Sequence, residues 1–191
     1  KWSVFSVSDC CFRRQVSTNY STRRSTLRTL LKAMGEGREL PLFFCGKVET
    51  GFGRGGKSLN CPTANLSPGS CRLPLSETEN GVYFGWAQVN RSLSGSLQKG
   101  EVLPMVMSIG WNPHFNDLTQ KTAEAHILAN FEEDFYGEEM RVIASGYIRG
   151  QEKYNSLEEL KAAIANDIKV AKESLETEEH RSFKDSPHFL S

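Results

Sequence analysis

The sequence predicts a mainly β domain, an antiparallel sandwich or barrel, followed by one long C-terminal helix. Three observations indicate this fold. Between about residues 41 and 150, short apolar and β-branched segments alternate with Gly, Asn and Pro. After Ser156, apolar residues recur at every third and fourth position, as they do in an amphipathic helix. The chain has 191 residues, 38% of them hydrophobic, which suits one domain with an additional arm.

Five segments have the composition of β-strands and end at glycine, proline or polar residues. The segment at 122–131 alternates between two faces, so we expect a half-buried strand there. One face has Ala123, Ala125, Ile127, Ala129 and Phe131, and the other has Glu124, His126, Leu128 and Asn130. In chain order the five segments are LPLFFCGKVETG from Leu40, GVYFGWAQV (81–89), EVLPMVMSIG (101–110), TAEAHILANF (122–131) and EMRVIASGYIRG (139–150).

The C-terminal helix is predicted from its start signal and its apolar face. Ser156 and Glu159 have the spacing of a capping box, in which each side chain bonds a backbone N–H at the start of the helix. The apolar face that follows consists of Leu157, Leu160, Ile164, Ile168, Ala171 and Leu175. Beyond about Glu179 the chain is polar, and we expect residues 180–191 to be a loosely held tail.

Charge and cysteine content limit the functional class and the compartment. The formal net charge is zero, so nothing in the overall charge suggests a nucleic-acid partner, and no apolar run reaches membrane-spanning length. Five cysteines without a C-x-x-C pair favour a reducing, cytoplasmic location. Residues 1–40, however, are rich in Arg and Ser and poor in acids, which leaves open an organelle-targeting segment, such as a mitochondrial one, or an added arm with a short helix.

The most conspicuous motif is GFGRGGKS, from Gly51 to Ser58. It matches both the P-loop pattern G-x-x-x-x-G-K-[ST] and the dinucleotide pattern G-x-G-x-x-G. Both motifs require a helix directly after the glycines, and Pro62 leaves no room for one. The alternatives are then a β-hairpin turn or an anion-binding loop, in which the backbone N–H groups of Gly51, Gly53 and Gly55 act with Arg54 and Lys57 on phosphate oxygens.

The segment PTAN, Pro62 to Asn65, favours the anion-binding alternative. On an extended chain, residues two apart project to the same side, so Thr63 and Asn65 would present two oxygen atoms together. Such oxygens suit a magnesium ion that bridges phosphate groups.

The order of these blocks closely resembles the riboflavin kinase (flavokinase) family in its monofunctional eukaryotic form, from about Leu42 to Leu175. The resemblance lies in GKVETGFGRGGKSLNCPTANL, GVYFGWAQV, MVMSIGWNPHFND, KTAEAHIL, EDFYGEEMRV and GYIRGQEKYNSLEELKAAIANDI. It implies a six-stranded antiparallel Greek-key barrel over residues 41–179, including the C-terminal helix. It also implies transfer of the γ-phosphate of ATP to the 5′-hydroxyl of riboflavin, which gives FMN and ADP.

The resemblance further implies roles for individual residues. Glu124 would be the catalytic base, which takes the proton of the attacking hydroxyl. Thr63 and Asn65 would hold Mg²⁺, with Zn²⁺ as a possible alternative, and Thr63 would also contact ATP together with Gly51, Gly53, Arg54, Gly55 and Lys57. The flavin would be bound by Trp111, Asn112, Phe115, Arg149 and Tyr154. For Trp111, Phe115 and Tyr154 core packing is an equal alternative, and for Arg149 a solvated charge at a strand end is one.

Three further expectations follow. Small molecules would be the partners of a monomeric chain. Because no adenylyltransferase module precedes Leu42, we do not expect FAD synthesis. The alternative function is a barrel that binds flavin or nucleotide without turnover, and a P-loop NTPase is a second alternative, which would need several helices around a parallel sheet.

Overall fold

The computed structural model describes residues 40–50, 61–66, 75, 78–93, 96–111 and 121–190, and the unit described below runs from Leu40 to Phe189. Its strands are β1 (Leu42–Glu49), β2 (Ala64–Leu66), β3 (Gly81–Leu93), β4 (Ser96–Gln98), β5 (Val102–Trp111), β6 (Lys121–Ile127) and β7 (Glu139–Arg149). Helices α1 (Leu157–Leu175) and α2 (Glu178–Arg181) follow, and then 3₁₀ turns at Ser182–Asp185 and Pro187–Phe189.

Six of the strands close into an antiparallel barrel. The neighbours run β3-β5-β6-β2-β1-β7, and β7 also pairs with β3, so that the ring has no free edge. Strands β3, β5 and β6 are successive neighbours, and β7 returns to lie beside β3, which is the Greek-key arrangement. Strand β4 is an additional hairpin arm on β3. The predicted six-stranded Greek-key barrel with a C-terminal helix is therefore confirmed.

The barrel strands β3 and β7 are buried on both faces, which explains their nearly continuous apolar sequence. Side chains such as Tyr83, Ala87 and Met140 fill the interior. The alternate positions Phe84, Trp86 and Ile143 face outward and pack under α1 and the C-terminal turns. At Gly85 of β3 a Cβ atom would overlap the carbonyl oxygen of Ile143 on β7, so only glycine fits.

Two short strands were not predicted from the sequence, and one predicted strand is longer than the strand that the structure shows. Strands β2 and β4 have three residues each, too few for a periodic pattern. Strand β6 ends at Ile127 rather than at residue 131. The physical reason is Pro104 on β5. Its carbonyl still accepts a 2.8 Å bond from Leu128, but without an N–H it cannot return one, so the ladder stops.

Helix α1 begins as predicted. The Ser156 hydroxyl accepts a 3.1 Å hydrogen bond from the Glu159 N–H, and Glu159 reaches back to the N–H of Asn155. The expected apolar face is buried only toward its C-terminal end, at Ala171 and Leu175, whereas Leu157 is 44% exposed. None of the helices in the described part of the chain has the length and apolar character that a membrane span requires.

The expectation of a loosely held tail from about residue 180 is wrong for the residues that the structure describes. Trp86 Nε1 donates a 2.8 Å hydrogen bond to the carbonyl of His180, and the buried Arg141 donates one of 3.0 Å to the carbonyl of His188. Phe189 is 1% exposed. One buried aromatic side chain and several hydrogen bonds to the barrel therefore hold a segment whose overall composition is polar.

Candidate active site

The PTAN segment forms the start of β2 and presents its polar side chains on the outside of the barrel. Ala64 and Leu66 are buried in the core, whereas Thr63 and Asn65 are partly exposed between them. Pairing with β6 places Asn65 opposite Glu124 and Ala64 opposite Ala125. Because side chains alternate between the faces of a sheet, Thr63, Asn65 and Glu124 share the outer face.

The closest polar contact in this group joins Thr63 to Glu124. The Thr63 hydroxyl donates a 2.6 Å hydrogen bond to Glu124 Oε1. A short bond from a hydroxyl to a carboxylate is one of the stronger hydrogen bonds in proteins, so it holds the carboxyl group in one orientation. The hydroxyl oxygen keeps its lone pairs, which remain available to a cation.

Strand β5 extends the polar row on the other side of Glu124. Ser108 is the register partner of Glu124, and Gln151 Nε2 donates a 3.3 Å hydrogen bond to Ser108 Oγ. Ser108 and Gln151 were not predicted from the sequence. Only the β5–β6 register and the return of the chain after β7 bring them to this face, and neither is visible in local sequence patterns.

His126 lies two residues beyond Glu124 on β6, but its ring is engaged elsewhere. Its Nδ1 atom is 2.8 Å from the carbonyl oxygen of Pro62. This contact indicates a structural bond for the His126 ring and not a direct contact with the Glu124 carboxylate.

Cys61 precedes the PTAN segment and is buried, with 9% of its surface exposed. Burial raises the pKa of its thiol, and the negative charge of Glu124 raises it further. A thiol in this state is a weak nucleophile, so Cys61 behaves as a small buried side chain.

The residues predicted to bind flavin do not all share the face of Glu124. Trp111 pairs with Lys121 at the end of the β5–β6 ladder, is 44% exposed and has Lys121 Nζ 5.5 Å from its ring centre. It is three residues from Ser108, so alternation places it on the opposite side of the sheet. Tyr154 lies instead beside Arg149, whose guanidinium carbon is 5.7 Å from its ring centre.

Arg149 forms an ion pair with Asp167 of α1. Its Nε and Nη2 atoms donate hydrogen bonds of 2.9 and 2.6 Å to the two carboxylate oxygens of Asp167, which is 2% exposed. The hydrogen bond to Asp167 is the main cause that raises the pKa of Arg149. Asp167 was also not predicted from the sequence, because it interrupts the apolar face of the helix.

Seven of the predicted site residues lie outside the described residues. They are Gly51, Gly53, Arg54, Gly55, Lys57, Asn112 and Phe115. The strands on both sides of the glycine segment are described: Glu49 at the end of β1 pairs with Asn65 of β2. The two strands that flank the glycine segment in the chain therefore pair beside the polar row. Among the described residues, no group of three or more His, Cys, Asp or Glu side chains is arranged so that it could hold a metal ion.

Known proteins similar to this chain share its fold and most of its length. A solved structure, the riboflavin kinase from Trypanosoma brucei, superimposes with a TM-score of 0.66 at 26% sequence identity and covers 81% of this chain and 92% of its own. A Homo sapiens protein named riboflavin kinase is 43% identical over 152 residues, which are 80% of this chain and 92% of that protein.

An Arabidopsis thaliana protein named bifunctional riboflavin kinase/FMN phosphatase is 47% identical over 148 residues. The matched region is 78% of this chain but only 37% of the Arabidopsis protein. The family model for flavokinase, described as riboflavin kinase, matches residues 38–175. On the strength of this match and of the human relative, the chain belongs to the riboflavin kinase family.

Proposed function

We propose that this chain transfers the γ-phosphoryl group of ATP to the 5′-hydroxyl of riboflavin and releases FMN and ADP. The observation that carries the proposal is the 2.6 Å contact between Thr63 and Glu124 on the outer face of β2 and β6, in a chain of this family. Phosphoryl transfer needs little covalent chemistry from a protein, because positioning and neutralisation of charge supply most of the catalysis. A fixed carboxylate beside oxygen ligands meets that need.

Glu124 is the proposed general base. Its Oε1 atom is held by Thr63, and in the described part of the chain no other side chain donates to this carboxylate. Oε2 can therefore accept the proton of a primary hydroxyl that enters within hydrogen-bond distance. Because the bond from Thr63 fixes the orientation of the carboxyl group, the base does not have to be reoriented when the substrate binds.

The oxygen atoms of Thr63 and Asn65 fit magnesium better than zinc. Mg²⁺ prefers oxygen ligands and uses one or two protein groups together with phosphates and water, so a cluster of three acids is not required. Zinc prefers thiolate and imidazole. Here the raised pKa of Cys61 opposes the thiolate form, and His126 Nδ1 is engaged with Pro62. When bound, the ion would neutralise charge on the transferred phosphoryl group.

The ATP phosphates are assigned to the glycine segment by family resemblance. We propose that Gly51, Gly53, Arg54, Gly55 and Lys57 contact them, with Thr63 at the same site. The support in the structure is the pairing of Glu49 with Asn65, which brings the end of the strand that precedes the segment beside the proposed metal ligands. A phosphate held there would lie next to Thr63 and Glu124.

For the flavin, Trp111 and Tyr154 remain proposed walls of the binding slot, with Asn112 and Phe115 proposed on resemblance alone. Trp111 offers an exposed aromatic surface, which suits the flat isoalloxazine ring. Arg149 is better supported as a structural residue, since Asp167 accepts hydrogen bonds from its Nε and Nη2 atoms and the Gly150 carbonyl accepts one from Nη1. In that position Arg149 would hold Tyr154 rather than a product phosphate.

The division into an arm (1–40), a barrel (41–179) and a tail (180–191) stays a prediction. So do the monomeric state and the cytoplasmic location with its organelle alternative. Light scattering of the purified chain would measure its mass in solution. Fusion of residues 1–40 to a fluorescent protein would show whether this segment directs import into an organelle.

The experiment that tests the function is a direct assay with ATP, Mg²⁺ and riboflavin, in which FMN is separated by chromatography. Glu124→Gln keeps the shape of the side chain and removes the base, so we expect a loss of about 10²-fold or more in kcat. Glu133→Gln is the matched control, because Glu133 forms only an exposed ion pair with Arg91.

Three results are informative. FMN from the wild type and from Glu133→Gln, with little from Glu124→Gln, supports both the kinase and the base. Equal FMN from all three proteins keeps the kinase and removes Glu124 from its role. A folded wild type that binds riboflavin but makes no FMN contradicts the kinase and supports the non-catalytic binding barrel.

A further inference from the structure

His126 meets the backbone of the PTAN segment at a point where the β2–β6 ladder has not yet begun. The first register pair of the ladder is Ala64 with Ala125. Pro62 directly precedes Thr63, and its carbonyl oxygen is 2.8 Å from His126 Nδ1. At this position the Pro62 carbonyl therefore bonds to a side chain of β6, where a continued ladder would provide a backbone N–H.

The geometry determines which ring nitrogen carries a proton. A carbonyl oxygen only accepts hydrogen bonds, so His126 Nδ1 must be the donor. This remains true whether the ring is neutral or protonated, because only the state of Nε2 differs between the two.

Thr63 depends on this bond more than a residue within a long strand would. Strand β2 has three residues, and Pro62 lacks the N–H that could extend the pairing toward the N-terminus. The backbone of Thr63 is thus held on one side by the first ladder pair and on the other side by His126. Its hydroxyl must remain within hydrogen-bond distance of Glu124 Oε1, now 2.6 Å away.

We infer that His126 is a positioning residue for phosphoryl transfer. Its Nδ1–H donates a hydrogen bond to the Pro62 carbonyl. This bond keeps the Thr63 hydroxyl within hydrogen-bond distance of Glu124 and oriented toward the proposed metal ion. The inference rests on the proposed kinase function of the same site. His126 acts through the backbone of Pro62 and Thr63, and it does not contact the substrate or the carboxylate itself.

Two amide variants separate this role from a general need for a side chain at position 126. The side-chain nitrogen of asparagine lies close to where histidine has Nδ1, whereas that of glutamine lies close to Nε2. We expect His126→Gln to lower kcat by about 10- to 100-fold, the range found when a residue supporting a ligand is lost. His126→Asn should retain kcat within a few-fold, and the KM for riboflavin should change little in both.

His180→Gln is the matched control. It makes the same substitution at a partly buried histidine that packs on Phe84, 4.8 Å between ring centres, on the helix-covered side of the barrel. We expect wild-type kcat from this variant. Thermal unfolding of all three variants shows whether any loss of activity follows a loss of folded protein.

A double-mutant cycle tests the route by which His126 acts. If His126 acts through Thr63, His126→Gln should add little to the loss caused by Thr63→Val. Multiplicative effects of the two substitutions would overturn the inference, as would equal activity of His126→Gln and the wild type. Equal impairment of two folded variants, His126→Asn and His126→Gln, would also overturn it.

A structural measurement keeps the inference separate from the kinase proposal. Nitrogen NMR of the histidine rings, assigned by comparison with His126→Gln, should show a proton on Nδ1 of His126 in the absence of substrates. If the wild type makes no FMN, the kinase proposal fails and with it the positioning role. If the wild type makes FMN but Nδ1 carries no proton, the kinase stands and the inference fails.

Discussion

The hydroxyl of Thr63 and the carboxylate of Glu124 are joined by a 2.6 Å hydrogen bond, although 61 positions separate them in the sequence. The β2–β6 pairing brings them together, and Asn65 stands directly opposite Glu124 in the same ladder. One substitution at position 63 can therefore test whether the hydroxyl or the shape of the side chain matters to the reaction.

Thr63→Val keeps the branched shape and removes the hydroxyl. We expect kcat/KM to fall by about 10- to 100-fold, the equivalent of one hydrogen bond to a charged group at about 1.5–3 kcal/mol. Thr63→Ser retains the hydroxyl and should stay within a few-fold of the wild type. Steady-state assays of FMN formation measure both. Equal losses in the two variants would indicate that the methyl group, and not the hydroxyl, is required.

Arg149→Met should destabilise the protein by roughly 3 kcal/mol, because it leaves the buried carboxylate of Asp167 without its partner. This is the low end for a broken buried pair, since the Arg149 side chain keeps 21% exposure. Urea unfolding provides the measurement. Lys169→Met is the control: it breaks an exposed pair with Glu173 at 3.9 Å and should cost less than about 0.5 kcal/mol.

A second substitution distinguishes the ion pair from packing. In the double variant Arg149→Met with Asp167→Leu, both charges are gone, and we expect much of the lost stability to return. If the double variant is no more stable than Arg149→Met alone, the loss comes from the packing of the arginine side chain.

His188 should make the stability of the fold depend on pH. Burial lowers its pKa, and Arg141 lowers it further, while a 2.9 Å contact of Nε2 with the Phe44 carbonyl and the charge of Glu139 oppose the shift. In the unfolded chain the pKa is near the ordinary value of about 6.5. The unfolded state then binds more protons between the two pKa values, so stability is full above about pH 6.5 and decreases as the pH falls.

Chemical unfolding of the wild type and of His188→Gln between about pH 5 and pH 7.5 would measure this dependence. Glutamine can still donate to the Phe44 carbonyl but does not titrate, so the variant should show a shallower loss of stability toward low pH. Identical pH profiles for the two proteins would mean that other groups cause the dependence.

Cys61 should become more reactive when Glu124 loses its charge. Burial is the larger cause of its raised pKa, and the Glu124 carboxylate is the second. In Glu124→Gln the second cause is absent, so more thiolate is present at a given pH, and alkylation should be faster. Mass spectrometry of the Cys61 peptide after timed iodoacetamide treatment measures the rate. The peptide of Cys45, the other cysteine in the described part of the chain, is the internal reference.

The sequence predicted the long strands and the helix start for clear physical reasons, whereas Glu124 was singled out by family resemblance and its role as base stays a prediction. Ten-residue apolar runs and a Ser156–Glu159 pair are local signals. Ser108, Gln151 and Asp167 were missed because their role depends on register and on packing between distant segments. The anchoring of Phe189 was missed because a single aromatic residue in a polar stretch carries no periodic signal.

Closure of the barrel by β7 also determines when folding can be completed. This strand lies between β1 and β3. Its pairing with β1 joins residues about 100 positions apart in the chain, and its pairing with β3 joins residues about 60 positions apart. Until Glu139–Arg149 leaves the ribosome, β1 and β3 both present unpaired backbone groups. During synthesis the protein therefore passes through a stage with two open sheet edges, at which association with another chain or capture by a chaperone competes with folding.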